Sequence, residues 1–246
     1  MPPASSNKLV IVVPALNEEA EIEKTIRELL PVVQAAGIPF EIVAVNDGSA
    51  DRTGAIIDRL ASEISAVKAI HHNVRRGVGA SFAEILSATE APYITLIPGD
   101  NAFRAATLAP LFASVGQYDL IISYRTNREA RTLRRAFMTA MMCRSLNFLF
   151  RLDLRDYSSV IVYPVARLRA LSLASEGYSY QIEAIISLIK QGSTIKQIEV
   201  ELNPEIPGRS RAFNLKVMCL FALTAMRLFA HYHLSARGQD SKLEAN

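Results

Sequence analysis

The sequence predicts an α/β protein built on a mostly parallel sheet with helices on both faces. Short apolar, partly β-branched runs at Leu9–Val13, Phe40–Val45, Val67–Ile70 and Tyr93–Ile97 have the length and composition of buried strands. Segments with helical periodicity lie between them, and strand–helix alternation of this kind implies parallel strands with crossover helices. The 246 residues, half of them apolar and 21% charged, suffice to bury a full core. With only 11 Gly and 11 Pro, a disordered or collagenous chain is excluded.

Each element has its own signal. Ile22, Ile26, Leu29, Leu30 and Val33 mark one helical face, which stops around Gly37 and Pro39. Ile56, Ile57 and Leu60 mark a second helix, started by the capping-type residues Ser49, Asp51 and Thr53. Phe82, Ile85 and Leu86 mark a third, and Tyr118–Ser123 reads as another strand. From Arg125 to Arg155 there are eight Arg against two acids, interleaved with Phe137, Met138, Met141, Met142, Leu146, Phe148 and Phe150. A strand-like SVIVY follows, then a helix with Ile182, Ile185, Ile186 and Ile189 on one face. Ile198, Val200 and Leu202 alternate with Glu199 and Glu201 as in a half-exposed strand. Asn214–Leu234 reads as one last apolar helix.

Charge and cysteine usage narrow the class. The net charge is +3, and 20 of the 27 basic residues are Arg, the side chain suited to bidentate phosphate recognition. Cys143 and Cys219 have no CxxC and no His at ligand spacing, so no disulfide framework or Cys-built zinc site is expected and a reducing compartment fits. The opening MPPASSNKLVIVV lacks a basic n-region, and its apolar run is too short for a signal peptide or anchor. Val217–Met226 ends at Arg227, well short of the roughly 20 apolar residues that span a bilayer. The expectation is a soluble or peripheral protein.

In open α/β sheets, ligands bind beyond the carboxyl ends of the strands. Polar residues follow four strands in succession here: Pro14 and Asn17-Glu18-Glu19, then Asn46-Asp47-Gly48-Ser49, then Arg75-Arg76-Gly77-Val78-Gly79, then Gly99-Asp100-Asn101. A ligand crevice at that edge is the expectation. It is not a dinucleotide crevice of the usual kind, because the loop after the first strand, VPALNEE, has no glycine. No GxxxxGK[ST] is present for a P-loop.

The combination of VPALNEE, VNDGSADRT, RRGVGAS and a strand ending in GDN resembles the family-2 glycosyltransferases of GT-A fold. The Arg ending IISYR, the DYSS segment, the YSYQIEA helix start and the PGRSR loop are similar to the polyprenyl-phosphate, dolichol-phosphate mannosyltransferase-like branch. The likeness runs roughly from Lys8 to Arg211. It implies a GT-A (Rossmann-like) α/β/α sandwich with amphipathic acceptor-side helices and a C-terminal helix. We expect a single domain over 1–246, with a nucleotide-sugar-binding half (8–125), an acceptor-side half (126–211) and a C-terminal helix and tail (212–246).

The resemblance also implies roles. Asp47 would accept an N–H of the nucleotide base, with capping of the next helix as its other reading. Pro14 and Glu18, beside Asn17, would line the base and ribose, Pro14 through its carbonyl; Glu18 also reads as a first-turn acid. Arg76, Gly77 and Gly79 would let backbone approach an anion at a helix start; a plain glycine turn is the competing account. Asp100, beside Asn101, would hold Mg²⁺ or Mn²⁺ on the diphosphate. Pro98 stands where the family has the first acid of its DxD, and Ala102 where it has a Gln. Asp156 would face the acceptor as base or orienting group, or form a salt bridge to Arg155 or Arg151. Arg125 belongs with the catalytic groups. Gln181 and Glu183 would meet the sugar or support neighbouring Arg, and Arg209, Ser210 and Arg211 would close over the diphosphate.

The implied activity is an inverting, metal-dependent transfer of a sugar from a nucleotide diphosphate to a polyprenyl phosphate, by a peripheral protein on the cytoplasmic membrane face. Arg128, Arg131 and Arg135 next to Phe137, Met138 and Met141 suggest an interfacial helix on anionic lipid. No nucleic acid is expected as a partner, since aromatics at base spacing are missing. A soluble or glycan hydroxyl acceptor is the nearest alternative, and a nucleotide-sugar-binding protein without turnover is another.

Overall fold

The computed structural model describes residues 7–126, 133–171, 179–206 and 215–234. The chain runs β1 (Leu9–Ala15), α1 (Ile22–Ala35), β2 (Phe40–Asn46), α2 (Thr53–Glu63), β3 (Val67–His71), α3 (Val78–Ala88) and β4 (Tyr93–Leu96). After a 3₁₀ turn at Ala105–Leu108 come α4 (Ala109–Ala113), β5 (Leu120–Arg125), α5 (Leu133–Phe150), β6 (Ile161–Pro164) and α6 (Val165–Arg169). The described chain ends with α7 (Ser179–Lys190), β7 (Ile195–Val200), α8 (Leu215–Phe229) and a π-helical turn at Ala230–Leu234.

The seven strands form one sheet in the order β3-β2-β1-β4-β6-β5-β7. All neighbours pair in parallel except β6, which is antiparallel to both β4 and β5. Alternation along β1 explains the two-sided core. Leu9, Ile11 and Val13 face the layer of Ile22, Ile26, Leu29, Ile57 and Leu60 from α1 and α2. Val10 and Val12 face the layer of Phe82, Ile85, Ile182 and Ile185 from α3 and α7. With both faces covered, the strands read as continuous apolar runs rather than alternating ones.

Local chemistry sets the boundaries. α1 stops where Gly37, at φ 66°, donates its N–H to the Gln34 carbonyl. α2 starts where Asp51 Oδ1 accepts the Thr53 N–H at 3.0 Å. Of the expected capping run, Ser49 does something else, accepting an N–H from Asn17. The fifth strand begins at Leu120, two residues later than its apolar run, because Tyr118 lies just beyond the turn at Gly116 (φ 83°). α5 buries Thr139, Cys143, Leu146 and Phe150 along one face and leaves Phe137, Met141 and Phe148 in solvent, Phe148 at 85% exposure. The expected basic face is not seen there: Arg128 and Arg131 lie outside the described residues, as does the side chain of Arg135.

Candidate active site

Topology gathers the candidate residues before any side chain is considered. β1 to β5 and β7 share one direction, so their carboxyl ends lie at one edge of the sheet. β6 runs the other way, so the loop that enters it, with Asp156, lies at that same edge. β1 sits between β2 and β4, which makes the β1–β4 gap the point where strand order reverses.

The first two loops are knitted together. Asn17, held at φ 55°, donates its N–H to Ser49 Oγ at 3.0 Å and accepts the Ala50 N–H on Oδ1 at 2.9 Å. The Glu18 N–H reaches Thr53 Oγ1 at 2.8 Å. Pro14 is buried, and its carbonyl accepts the Gly99 N–H at 3.0 Å, which links β1 to the end of β4 and leaves that oxygen a second lone pair.

Asp47 is only 3% exposed and does not cap α2. Its Oδ1 lies 2.8 Å from His72 Nδ1 and accepts the Arg76 N–H at 2.8 Å, while Oδ2 accepts the Gly77 N–H at 2.8 Å. Burial alone would raise its pKa, but these donors outweigh burial and hold the carboxyl below the usual value. Gly48 makes this approach possible, since a Cβ there would sit 2.7 Å from the Arg75 nitrogen. Gly77, at φ 91°, starts α3, and among the described residues no atom lies within 4 Å of where a Cβ of Gly77 or Gly79 would be, so they leave the helix start open.

Asp100 lies at the switch point. A Cβ on Gly99 would come within 2.9 Å of Ile22 Cδ1 and 3.1 Å of the Pro14 carbonyl oxygen, so only glycine brings this loop against β1 and α1. Thr25 Oγ1 donates to the Gly99 carbonyl at 3.1 Å, and Asn101 turns the chain at φ 51°. Asp100 accepts the Ala102 N–H at 3.2 Å, yet its pKa is raised, first by burial and further by the charge of Glu21. Glu21 Oε2 is itself buried with no hydrogen-bond partner among the described residues. A half-buried carboxyl with a raised pKa beside a second acid suits a divalent cation with hard oxygen ligands. Among the described residues no three His, Cys, Asp or Glu side chains converge as ligands, so phosphate oxygens and water would complete such a shell. Sequence reasoning passed over Glu21, whose signal was the third acid of NEEAE.

The two remaining catalytic candidates hold each other. Arg125 Nε lies 2.8 Å from Asp156 Oδ2, and its Nη2 lies 3.0 Å from Oδ1 and 2.7 Å from Ser158 Oγ. Asp156 Oδ1 also accepts the Ser158 N–H at 2.9 Å and hydroxyl at 3.0 Å. The expected partners Arg155 and Arg151 are not involved: Arg155 bonds to the Tyr124 hydroxyl and lies over its ring.

On α7, Gln181 is half-buried, and buried Glu183 pairs with Arg227 Nη2 of α8 at 2.7 Å. Arg209, Ser210 and Arg211 lie outside the described residues. The strand leading toward them is clamped to the Asp100 loop: Asn203 donates its N–H to the Ala102 carbonyl, and Phe103 bridges Leu202 antiparallel.

Comparison with known proteins gives this geometry a context. The profile of glycosyl transferase family 2 matches residues 10–170. Glycosyltransferase AglD of Haloferax volcanii is 29% identical over 63% of this chain and 26% of its own length. Undecaprenyl-phosphate mannosyltransferase of Micrococcus luteus is 23% identical over 83% of this chain and 87% of its own. The chain spans between 26% and 40% of the length of several relatives. Glucosyl-3-phosphoglycerate synthase of Mycobacterium tuberculosis, solved with Mn²⁺, UDP-glucose and phosphoglyceric acid, matches with a TM-score of 0.64 at 20% identity, covering 89% of this chain and 80% of that one. The fold is GT-A.

Proposed function

The chain belongs to glycosyl transferase family 2, and on that premise we propose that it transfers a sugar from a nucleoside diphosphate sugar to a polyprenyl phosphate, with inversion. The donor would lie across the β1–β4 switch point. Asp47 would receive the base, Asn17 and Glu18 the ribose side, and the open α3 start at Arg76–Gly79 an anionic group. Asp100 would hold a divalent ion, which supplies neutralisation of the charge that develops on the departing diphosphate. The mycobacterial structure with Mn²⁺ and UDP-glucose supports that assignment by analogy of fold.

The observation that carries the choice of acceptor is the Arg125–Asp156 pair. A hydroxyl acceptor needs a base, and Asp156 already accepts from the guanidinium, an amide and a hydroxyl. A phosphate monoester, with a second pKa of about 6, is anionic at neutral pH and needs none. Its oxygen attacks the anomeric carbon as the bond to the diphosphate breaks, so no proton must move. The Micrococcus luteus mannosyltransferase, by its name, acts on undecaprenyl phosphate, which agrees.

Such an acceptor is met at a membrane. No helix among the described residues is long and apolar enough to cross one. The exposed side chains Phe137, Met141 and Phe148 of α5, with Leu223, Met226 and Phe229 of the adjoining α8, support peripheral binding. The cytoplasmic face is the side that the sparse cysteines suggest. Incubation with UDP-glucose or GDP-mannose, Mn²⁺ and either a polyprenyl phosphate or a glycan acceptor tests the proposal. Label transferred to the lipid phosphate supports it; label found only in the glycan overturns it.

A further inference from the structure

His72 was not singled out by any motif, yet it is one of the buried ionisable groups at this edge of the sheet, with Asp47 and Asp156. It follows β3 directly, its N–H donates to the Asn46 carbonyl at 2.9 Å, and its side chain is 4% exposed. Both ring nitrogens face carboxylates: Nδ1 lies 2.8 Å from Asp47 Oδ1, and Nε2 lies 3.2 Å from Glu84 Oε2. Ionised carboxylates only accept hydrogen bonds, so the ring nitrogen facing Asp47 is the donor of that bond. The Arg76 guanidinium also reaches Glu84, which ties the far side of the ring to the start of α3.

The two oxygens of Asp47 are engaged unequally. Among the described residues Oδ1 meets two donors, His72 and the Arg76 amide, whereas Oδ2 meets one, the Gly77 amide. Each carboxylate oxygen can accept two. We propose that His72 is a positioning residue of the donor site, its ring bridging Asp47 and Glu84 so that the free acceptor capacity of Asp47 Oδ2 turns toward a nucleobase N–H. The proposal rests on the donor reading above and adds the residue that sets its geometry. Uracil and guanine both present a ring N–H to such an acceptor, and an N–H to carboxylate bond is of the stronger, charge-assisted kind.

The test measures binding of UDP and of GDP, each with Mn²⁺, by calorimetry, to the full chain and to Asp47→Asn, His72→Gln, His72→Asn and the pair Asp47→Asn with His72→Gln. Asp47→Asn should weaken the better-bound nucleotide about tenfold or more. His72→Gln should weaken it comparably and add nothing in the Asp47→Asn background. His72→Asn, which keeps an N–H near the Nδ1 position, should recover most of the affinity. If Asp47→Asn weakens binding while His72→Gln does not, or the two losses add in full, the positioning role is overturned and the donor site stands. If Asp47→Asn binds both nucleotides as the parent does, the donor reading itself falls. Should His72→Gln fail to fold, His72→Asn decides: affinity near that of the parent supports the proposal, and a loss as large as that of Asp47→Asn overturns it.

Discussion

Arg125, the last residue of β5, and Asp156, in the loop entering β6, meet as a forked ion pair with Nε–Oδ2 at 2.8 Å and Nη2–Oδ1 at 3.0 Å. The pair spans two antiparallel strands, and both side chains are nearly out of solvent. Removing one partner leaves a buried charge alone, which costs about 3–5 kcal/mol. Arg125→Met should therefore lower urea stability by that order, and Arg125→Met with Asp156→Leu should recover much of it. A single variant as stable as the parent would show the pair to be solvated.

Asp156→Asn tests the acceptor chemistry. On a phosphate acceptor its turnover should fall by less than the ~10²–10⁴-fold that general-base assistance supplies. Assay of the initial rate on polyprenyl phosphate decides this. A loss at the upper end of that range would restore Asp156 as a base.

Asp100 carries a stability cost in the ligand-free protein. Its folded pKa is raised by burial and by Glu21, so its ionised form destabilises the fold at neutral pH. That penalty disappears as pH falls and the carboxyl is protonated. Asp100→Asn should thus melt higher than the parent at pH 7 without ligand, with the gap closing at low pH. The same variant should lose the extra nucleotide affinity that Mn²⁺ confers. A lower melting temperature at pH 7 would contradict the sign.

Gly99→Ala should destabilise by about 1–3 kcal/mol through overpacking, with no strain in φ. The new methyl would press on Ile22 Cδ1, so Ile22→Val should relieve part of the loss. Denaturant midpoints of the single and double variants measure this, and additive losses would locate the clash elsewhere.

Phe148→Ser and Met226→Ser remove exposed apolar groups and should leave the melting temperature within a degree or two of the parent. Co-sedimentation with anionic vesicles should nevertheless drop. Undiminished vesicle binding would detach α5 and α8 from the membrane reading.

Much of this was legible in sequence because it depends on neighbours along the chain. The first four strands and their helices follow from runs and periodicities within about 15 residues, and the polar strand ends follow from the parallel topology. What was not legible depends on neighbours in space. Nothing local says that Asp47 meets His72 across 25 residues, that Arg125 rather than Arg155 takes Asp156, or that the Pro14 carbonyl is used by Gly99. Glu183 likewise met its Arg only once α8 had packed on α7.

The position of β5 in the sheet bears on how the chain is made. β1 to β4 pair with one another and can form those ladders once residue 96 has emerged from the ribosome, with the β6 side of β4 still open. β5 has both its neighbours, β6 and β7, still to be synthesised: β6 ends at Pro164 and β7 at Val200. During that interval about 75 residues long, LIISYR is a nascent strand with two open edges and a strongly apolar sequence. Translation through this stretch is the vulnerable period of biogenesis, when a holdase would have most to protect and when a truncated chain would aggregate.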